Sequence, residues 1–358
     1  MLFDTYDLGE LHLRNRVVMA PMTRSRAVNN TANPLMAEYY AQRASAGLII
    51  TEGISPSPNG LGYARIPGLY KAEHAQAWKT VTDAVHAKGG AIVAQIMHTG
   101  RVSHQANLPE GARVVSSTDA PLPGEVYTDT LGMVAYTAPH ALSLDELAET
   151  VAEYAAAAKL AVDAGFDGIE LHAANGYLLE QFLNANVNQR TDGYGGSTFN
   201  RNAFVLDVVR ATVAAIGAQR VGIRLSPYGV FNQTGEFADL ETQYLELVAS
   251  LSDMGLMYLH VLDHSAMGTP AVPETFKARL RAAFEGPFIL AGGYDRNSAE
   301  AALQAQKADL IAFGRPFIAN PDLVERMQSG LAWASANMGN AYTADAIGYT
   351  DYPAATAA

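Results

Sequence analysis

The chain has 358 residues, 49% of them hydrophobic and 17% charged, with a formal net charge of -12 and no cysteine. That length buries one large core, as a single big α/β barrel or as two ordinary domains. The absence of thiols excludes disulfides, thiolate catalysis, Fe–S clusters and cysteine zinc sites, and 24 scattered Lys and Arg against 36 acids argue against nucleic acid as a partner.

No run approaches the roughly 18 to 20 apolar residues that a membrane span needs, and the N-terminus lacks the basic, apolar pattern of a signal peptide. No membrane partner and a cytoplasmic location are therefore expected, with the chain a monomer or a weak homo-oligomer. The nine histidines show no H-E-x-x-H spacing. His260 and His264 come closest to ligand spacing, but they close an apolar run where contact with solvent or substrate serves equally well. No metal is expected.

In chain order, short apolar runs alternate with longer amphipathic ones. RVVMA (from Arg16), GLIIT (Gly47), AIVAQI (Ala91), GIELHA (Gly168), VGIRLS (Val221), MYLHVL (Met257), FILAGG (Phe288) and LIAFG (Leu310) read as eight strands. MAEYYAQRAS, AQAWKTVTDAVHAKGG, LDELAETVAEYAAAAKLAVDAG, NRNAFVLDVVRATVAAIG, ADLETQYLELVASLSDMG and NSAEAALQAQKAD between them read as helices. Continuous apolar strands alternating with helices pair in parallel, buried on both faces. Eight of them fit a (β/α)8 TIM barrel, a single domain over residues 1–358, better than a doubly wound sheet, and no glycine-rich dinucleotide fingerprint follows the first strand. The one long irregular segment, 101–142, follows strand three on the face where barrel active sites lie, and is read as an insertion that caps the pocket.

Polar residues at the strand ends list the candidate chemistry: Thr23 after strand one, Glu52 and Gly53 after two, Gln95 and His98 after three, then His172, Asn175 and Tyr177, Arg224, His260, Gly292 with Gly293, and Gly314 with Arg315. LAGGYD and AFGRPF fall after strands seven and eight, where barrels commonly hold a phosphate on backbone N–H groups, with Arg315 supplying a charged fork. Thr23, Gln95 and Arg224, on three strands facing one pocket, suit the polar edge of a flavin, whose reduced anion an arginine would stabilise. Alternatively, Arg224 pairs with a core acid such as Glu170 and Gln95 satisfies backbone groups. In ELHAANGYLLEQFL, His172 and Asn175 are two neutral donors able to hold one carbonyl or nitro oxygen and draw electrons from a conjugated C=C bond, beside a phenol, Tyr177, able to give a proton. Standing alone, the same residues also read as a core histidine, a helix-capping asparagine and a packing tyrosine.

The run HAANGYLLEQFL followed by NQRTDGYGGSTFNR, together with LRNRVVMAPMTRSRA, LMAEYYAQRASAGLIITEG, QIMHTGR, GIRLSP, AFGRPFIANPDL and GYTDYP, resembles the Old Yellow Enzyme family of flavin-dependent ene-reductases, nearest to its N-ethylmaleimide and pentaerythritol tetranitrate reductase-like bacterial members. The resemblance implies a non-covalent FMN held by Ala20, Pro21, Met22, Thr23, Gly53, Gln95, His172, Arg224, Gly292, Gly293, Gly314 and Arg315. It implies a ping-pong cycle in which NADPH or NADH reduces the flavin and an electron-poor alkene (an enone, enal, maleimide or nitroalkene, with nitrate esters as a further possibility) then takes hydride from flavin N5 at its β-carbon. Under it, His172 and Asn175 anchor the substrate oxygen and Tyr177 protonates the α-carbon. Tyr63, Met97, Phe231, Asn232, Met267 and Tyr342 complete the substrate wall, Met97 standing where many members carry Trp. A phosphate-binding barrel lyase or isomerase, and a non-catalytic flavin-binding redox sensor, are the competing readings.

Overall fold

The computed structural model describes residues 1–355. Eight strands form its centre: β1 (Val17–Met19), β2 (Leu48–Ile54), β3 (Ile92–Ile96), β4 (Gly168–Ala173), β5 (Val221–Leu225), β6 (Tyr258–Leu262), β7 (Phe288–Ala291) and β8 (Leu310–Phe313). Each pairs in parallel with the next, and β8 pairs with β1 to close the barrel. Around it run α1 (Pro34–Gln42), α2 (Ala72–His86), α3 (Leu144–Asp163), the short α4 (Leu178–Leu183), α5 (Thr198–Ile216), α6 (Leu240–Asp253), α7 (Glu274–Ala283), α8 (Arg296–Gln304), α9 (Pro316–Ala319) and α10 (Leu323–Ser329). The eight expected strands are all present. Helix α7 was not expected: its sequence is strongly polar, and only Phe276 and Leu280 are buried.

Local chemistry sets the helix starts. Ser143 and Glu146 close a reciprocal capping box at α3, Asp295 and Ser298 another at α8, and Asn33 accepts from the Met36 amide just before Pro34 opens α1. Among the described residues no helix is long and apolar enough to cross a membrane.

The period-two alternation of the strands divides the core in two. Ile169, Leu171 and Ala173 of β4, Val221, Ile223 and Leu225 of β5, and Leu259 and Val261 of β6 join the large cluster under the helices. Val18, Leu48, Ile50, Val93, Tyr258, Ile289 and Leu310 fill the barrel interior, where Leu8 and Leu13 of an N-terminal hairpin (Tyr6–Leu8 with Leu11–Leu13) plug the lower end. Interior space is shared between neighbours: a Cβ on Gly222 would stand 2.4 Å from Tyr258 Cζ.

The insertion after β3 is more ordered than its sequence suggested, and the expectation of an irregular segment is corrected. Glu125–Thr128 and Gly132–Ala135 form an antiparallel hairpin, and Val115–Ser116 pairs with His140–Ala141. The sequence EVYT-DTL-GMVA carries a three-residue turn, Asp129 to Leu131, followed at once by Gly132 and set between two β-compatible runs, which is a hairpin signal.

The C-terminal segment is tied back by buried arginines. Arg24 donates to the carbonyls of Ala341 (3.2 Å) and Gly348 (2.6 Å) and to the Tyr39 hydroxyl, and Arg26 donates to the carbonyls of Asn340 and Ile347. Tyr349 stacks on Tyr39 at 4.0 Å between centroids, with the Arg43 guanidinium over the Tyr39 ring at 3.8 Å.

The interior of the barrel yields a prediction. Gly222→Ala should destabilise the protein by about 1–3 kcal/mol through overpacking against Tyr258, measured as a lower midpoint in denaturant unfolding.

Candidate active site

At the C-terminal end of the barrel the inward-facing positions turn polar. Parallel register sets Glu170 beside Gln95, and His172 beside Arg224 and then His260. Glu170 and His260 are fully buried and bond to each other: Glu170 Oε2 lies 2.8 Å from His260 Nδ1, and Glu170 Oε1 accepts from Gln95 Nε2 at 2.8 Å, while His260 Nε2 has no partner among the described residues. Burial alone would raise the Glu170 carboxyl, but His260, Arg224 and Gln95 together hold it below the usual carboxylate range. Burial lowers the His260 imidazole against the pull of Glu170. The pair is therefore carboxylate and neutral imidazole, and His260 belongs to the layer beneath the mouth rather than to an exposed strand end.

Arg224 stands in register between His172 and His260. It is buried, it forms no hydrogen bond or ion pair among the described residues, and its Nε has no partner. The alternative in which it pairs with Glu170 does not hold, because no ion pair or hydrogen bond joins the two; Arg224 acts on that carboxylate only through its charge. A buried guanidinium without a partner costs several kcal/mol, so the site is built for an acceptor that fills it.

Two adjoining cavities open at this end and share Pro21, Met22, Asn175 and Arg224. The first, about 920 Å³, is lined by Thr23, Gln95, Met97, His172, Tyr177 and Tyr63, and is roofed by Val126, Tyr127, Met133 and Tyr136 of the insertion and by Tyr342 of the C-terminal segment. The second, about 440 Å³, is lined by Ala20, His264, Met267, Gly292, Gly293, Gly314 and Arg315. Arg315 is exposed and makes no ion pair among the described residues, which leaves its fork available to an anion.

The HAANGY stretch is a rigid turn. Asn175 and Gly176 both adopt positive φ, 59° and 72°, and a Cβ on Gly176 would meet the Phe231 carbonyl oxygen at 2.6 Å, so only glycine fits there. Glu180 accepts from the Gly176 amide (2.6 Å) and from the Ser226 hydroxyl (3.1 Å), which itself accepts from the Asn175 amide (2.9 Å). Burial pushes the Glu180 carboxyl up to about 7 against those donors. The buried Gln181 side chain joins this turn to the insertion, donating to the carbonyls of Gly176 and Thr99 and accepting from the Arg101 amide and the Ser116 hydroxyl.

Three groups result from this scaffold. His172 Nδ1 accepts from the Ala174 amide (3.3 Å), so its neutral ring carries the hydrogen on Nε2, which faces Asn175 Nδ2 at 3.5 Å. Two N–H donors at that separation can both reach one acceptor. The Tyr177 hydroxyl lies 3.0 Å from that of Tyr63, its ring edge-on to His172 at 4.9 Å, and burial pushes its phenol up to about 12. Tyr177, not Asn175, is the residue preceding α4 at its N-cap.

Several expected positions fall elsewhere. Gly53 is not among the residues lining either cavity, and a Cβ there would meet Met97 Cε at 2.5 Å. Phe231 and Asn232 also line neither: Phe231 packs on His264 at 4.6 Å, and Asn232 donates to the Asn175 carbonyl at 2.7 Å. Met267 faces the second cavity, not the first. His98 is turned inward, accepting from the Gly100 amide. Glu52, buried, takes the Arg24 amide and the Tyr40 hydroxyl and is absent from both linings. Tyr342 lines the first cavity as expected, whereas Tyr127 and Tyr136 of the roof, Ser226, Glu180 and the role of His264 were not anticipated; the hairpin pattern pointed to Tyr127, and the others depend on contacts between different strand ends.

Residues 1–333 match the family model described as the NADH:flavin oxidoreductase / NADH oxidase family. The chain belongs to this family. It is thus an FMN-dependent oxidoreductase of the Old Yellow Enzyme group. It is 41% identical over 371 residues to 12-oxophytodienoate reductase 7 of Oryza sativa subsp. japonica (98% of this chain, 94% of that one), and 40% identical over 356 residues to 12-oxophytodienoate reductase 2 of Arabidopsis thaliana (98% and 95%). Morphinone reductase superposes with a TM-score of 0.96 at 42% identity, covering 99% of this chain and 96% of that one, and its complex with tetrahydroNAD with a TM-score of 0.94.

Burial, reinforced by Arg224, His260 and His264, holds the His172 imidazole well below its ordinary pKa. Imidazole ¹⁵N NMR should therefore show His172 as the neutral Nε2–H tautomer from pH 5 to 8, with no titration step near 6.5.

Proposed function

We propose that the protein reduces activated C=C bonds of enones, enals, maleimides and nitroalkenes with FMN and NADPH or NADH. The observation that carries this reading is Arg224, buried and unpartnered where two cavities meet. An elongated group with a polar ring at one end and a phosphate at the other matches the donor set on either side. Thr23, Gln95 and Arg224 would hold the ring, with backbone from Ala20, Pro21 and Met22; Gly292, Gly293, Gly314 and Arg315 would hold the phosphate. Bound FMN would supply the hydride that the alkene takes, having received it from the nicotinamide.

The remaining steps belong to this chain's residues. The Nε2–H of His172 and the amide N–H of Asn175 converge on the substrate oxygen, drawing electron density from the C=C bond as negative charge develops there. Neither group changes charge in the neutral pH range, so the anchor is constant. Tyr177 stays protonated and is placed to deliver its proton to the α-carbon, with Tyr63 in hydrogen-bond contact to return one. The insertion and the Tyr342 segment cover part of the first cavity.

A barrel lyase or isomerase would need a Schiff-base lysine or a free catalytic carboxylate. No lysine lines either cavity; the acid in the second, Asp263, is ion-paired with Lys277 at 2.6 Å, and the acid in the first, Glu125, is exposed on the roofing hairpin rather than at a barrel strand end. Convergence of His172, Asn175 and Tyr177 on one cavity likewise disfavours a flavin sensor, which needs none of the three as a set.

Tyr177→Phe should slow reoxidation of reduced flavin by cyclohexenone about 100-fold and leave flavin reduction by NADPH unchanged, both read by stopped-flow absorbance. Equal loss in the two half-reactions contradicts the proton-donor role. Arg315→Ala should weaken FMN binding at least about tenfold and leave riboflavin binding unchanged, measured by titration of the apoprotein. An equal loss for riboflavin moves the phosphate away from Arg315.

A further inference from the structure

Asn175 can help anchor a substrate oxygen only if its side-chain amide presents nitrogen, not oxygen, to the cavity. Its backbone is fixed: the amide donates to Ser226 Oγ, the carbonyl accepts from Asn232 Nδ2, and φ is 59°. What remains free is the half-turn of the carboxamide, which exchanges a donor for an acceptor of nearly the same shape.

His264 acts on that half-turn. Its Nε2 lies 2.8 Å from Asn175 Oδ1. A carboxamide oxygen only accepts, so the ring carries its hydrogen on Nε2 and donates. With Oδ1 held there, Nδ2 is the atom turned toward His172 Nε2. The ring is buried and seated against Phe231, and its carbonyl accepts from the Met267 amide in a short turn. Arg224 and Asp263 are the charged groups that face it; burial first, and then Arg224, lower its pKa to about 4, so the neutral donor persists through the physiological range.

We propose that His264 is a positioning residue, which selects the orientation of the Asn175 amide and so makes it a donor to the substrate oxygen. The inference rests on the reading of His172 and Asn175 as the substrate-oxygen anchor. Without the Nε2–H, the amide is free to turn Oδ1 into the cavity, where it repels the lone pairs of a carbonyl or phenolate.

The test is a double-mutant cycle on the FMN-loaded protein, with 4-hydroxybenzaldehyde titrated and binding followed by the flavin absorbance. His264→Phe should weaken the phenol about five- to tenfold, the value of one oriented hydrogen bond. His264→Gln, whose side-chain N–H can reach the same oxygen, should recover most of that loss. In the Asn175→Ala background His264→Phe should add nothing, because the only route from His264 to the ligand is gone. The same loss from His264→Phe with and without Asn175, or no loss at all, overturns the proposal. Unchanged affinity in Asn175→Ala alone would instead overturn the anchoring reading on which it rests. A second measurement does not depend on the variants loading FMN: ¹⁵N-histidine NMR of the unaltered holoprotein, with His264 assigned by its disappearance in His264→Gln, should show the Nε2–H tautomer, and an Nδ1–H tautomer overturns the proposal.

Discussion

The constraint on which the rest depends is the alternation of side chains along parallel strands closed into a barrel. Every second residue must point inward, and the interior is too narrow for water to dissolve what is placed there. Over most of its depth this chain fills the interior with Val, Ile, Leu and one tyrosine, opposite a glycine that makes room for it. At the C-terminal end the same alternation delivers Glu170, Gln95, His260, His172 and Arg224 instead. Gln95, Glu170 and His260 are joined in one hydrogen-bonded row, with His260 Nε2 left without a partner, and this row forms a floor. Beside it Arg224 keeps its positive charge and no acceptor, and the free energy withheld there is available to a bound group that supplies one.

The surroundings then serve to limit motion at the floor's rim. The turn after β4 is held by Glu180, Ser226 and Gln181, so that His172, Asn175 and Tyr177 leave the backbone at fixed angles. Glycine is required at Gly176 because the neighbouring loop passes too close for a side chain. The roof comes from segments distant in sequence, the hairpin after β3 and the C-terminal segment that Arg24, Arg26 and Arg43 grip through Tyr39 and Tyr349. Anchoring on rigid elements and roofing with loops lets one barrel chemistry meet substrates of different shape.

Much of this was legible in the sequence for a physical reason. Doubly buried strands are uninterrupted apolar runs, so Gly168–Ala173 and its seven counterparts were found together with the polar residues that end them. His172, Asn175, Tyr177, Gln95 and Arg224 were recognisable because strand ends in a barrel converge whatever the loops do. What was missed depended on tertiary contact. Gly53 is small because Met97 lies across it, and Asn232 supports Asn175 through its backbone; neither relation has a local signature. Helix α7 was overlooked because its sequence is strongly polar and only Phe276 and Leu280 are buried. The grip of Arg24 on Ala341 and Gly348 joins positions more than 300 residues apart. The hairpin in the insertion was the exception, since its turn was written in the sequence and not used.

The measurement that tests the account most directly is the visible spectrum of the purified protein under anaerobic conditions, taken before NADPH, after NADPH, and after cyclohexenone. The account predicts a flavin spectrum that bleaches with the nucleotide and returns with the enone. A protein that cannot be loaded with FMN, or whose reduced flavin is not reoxidised by the enone, would contradict it.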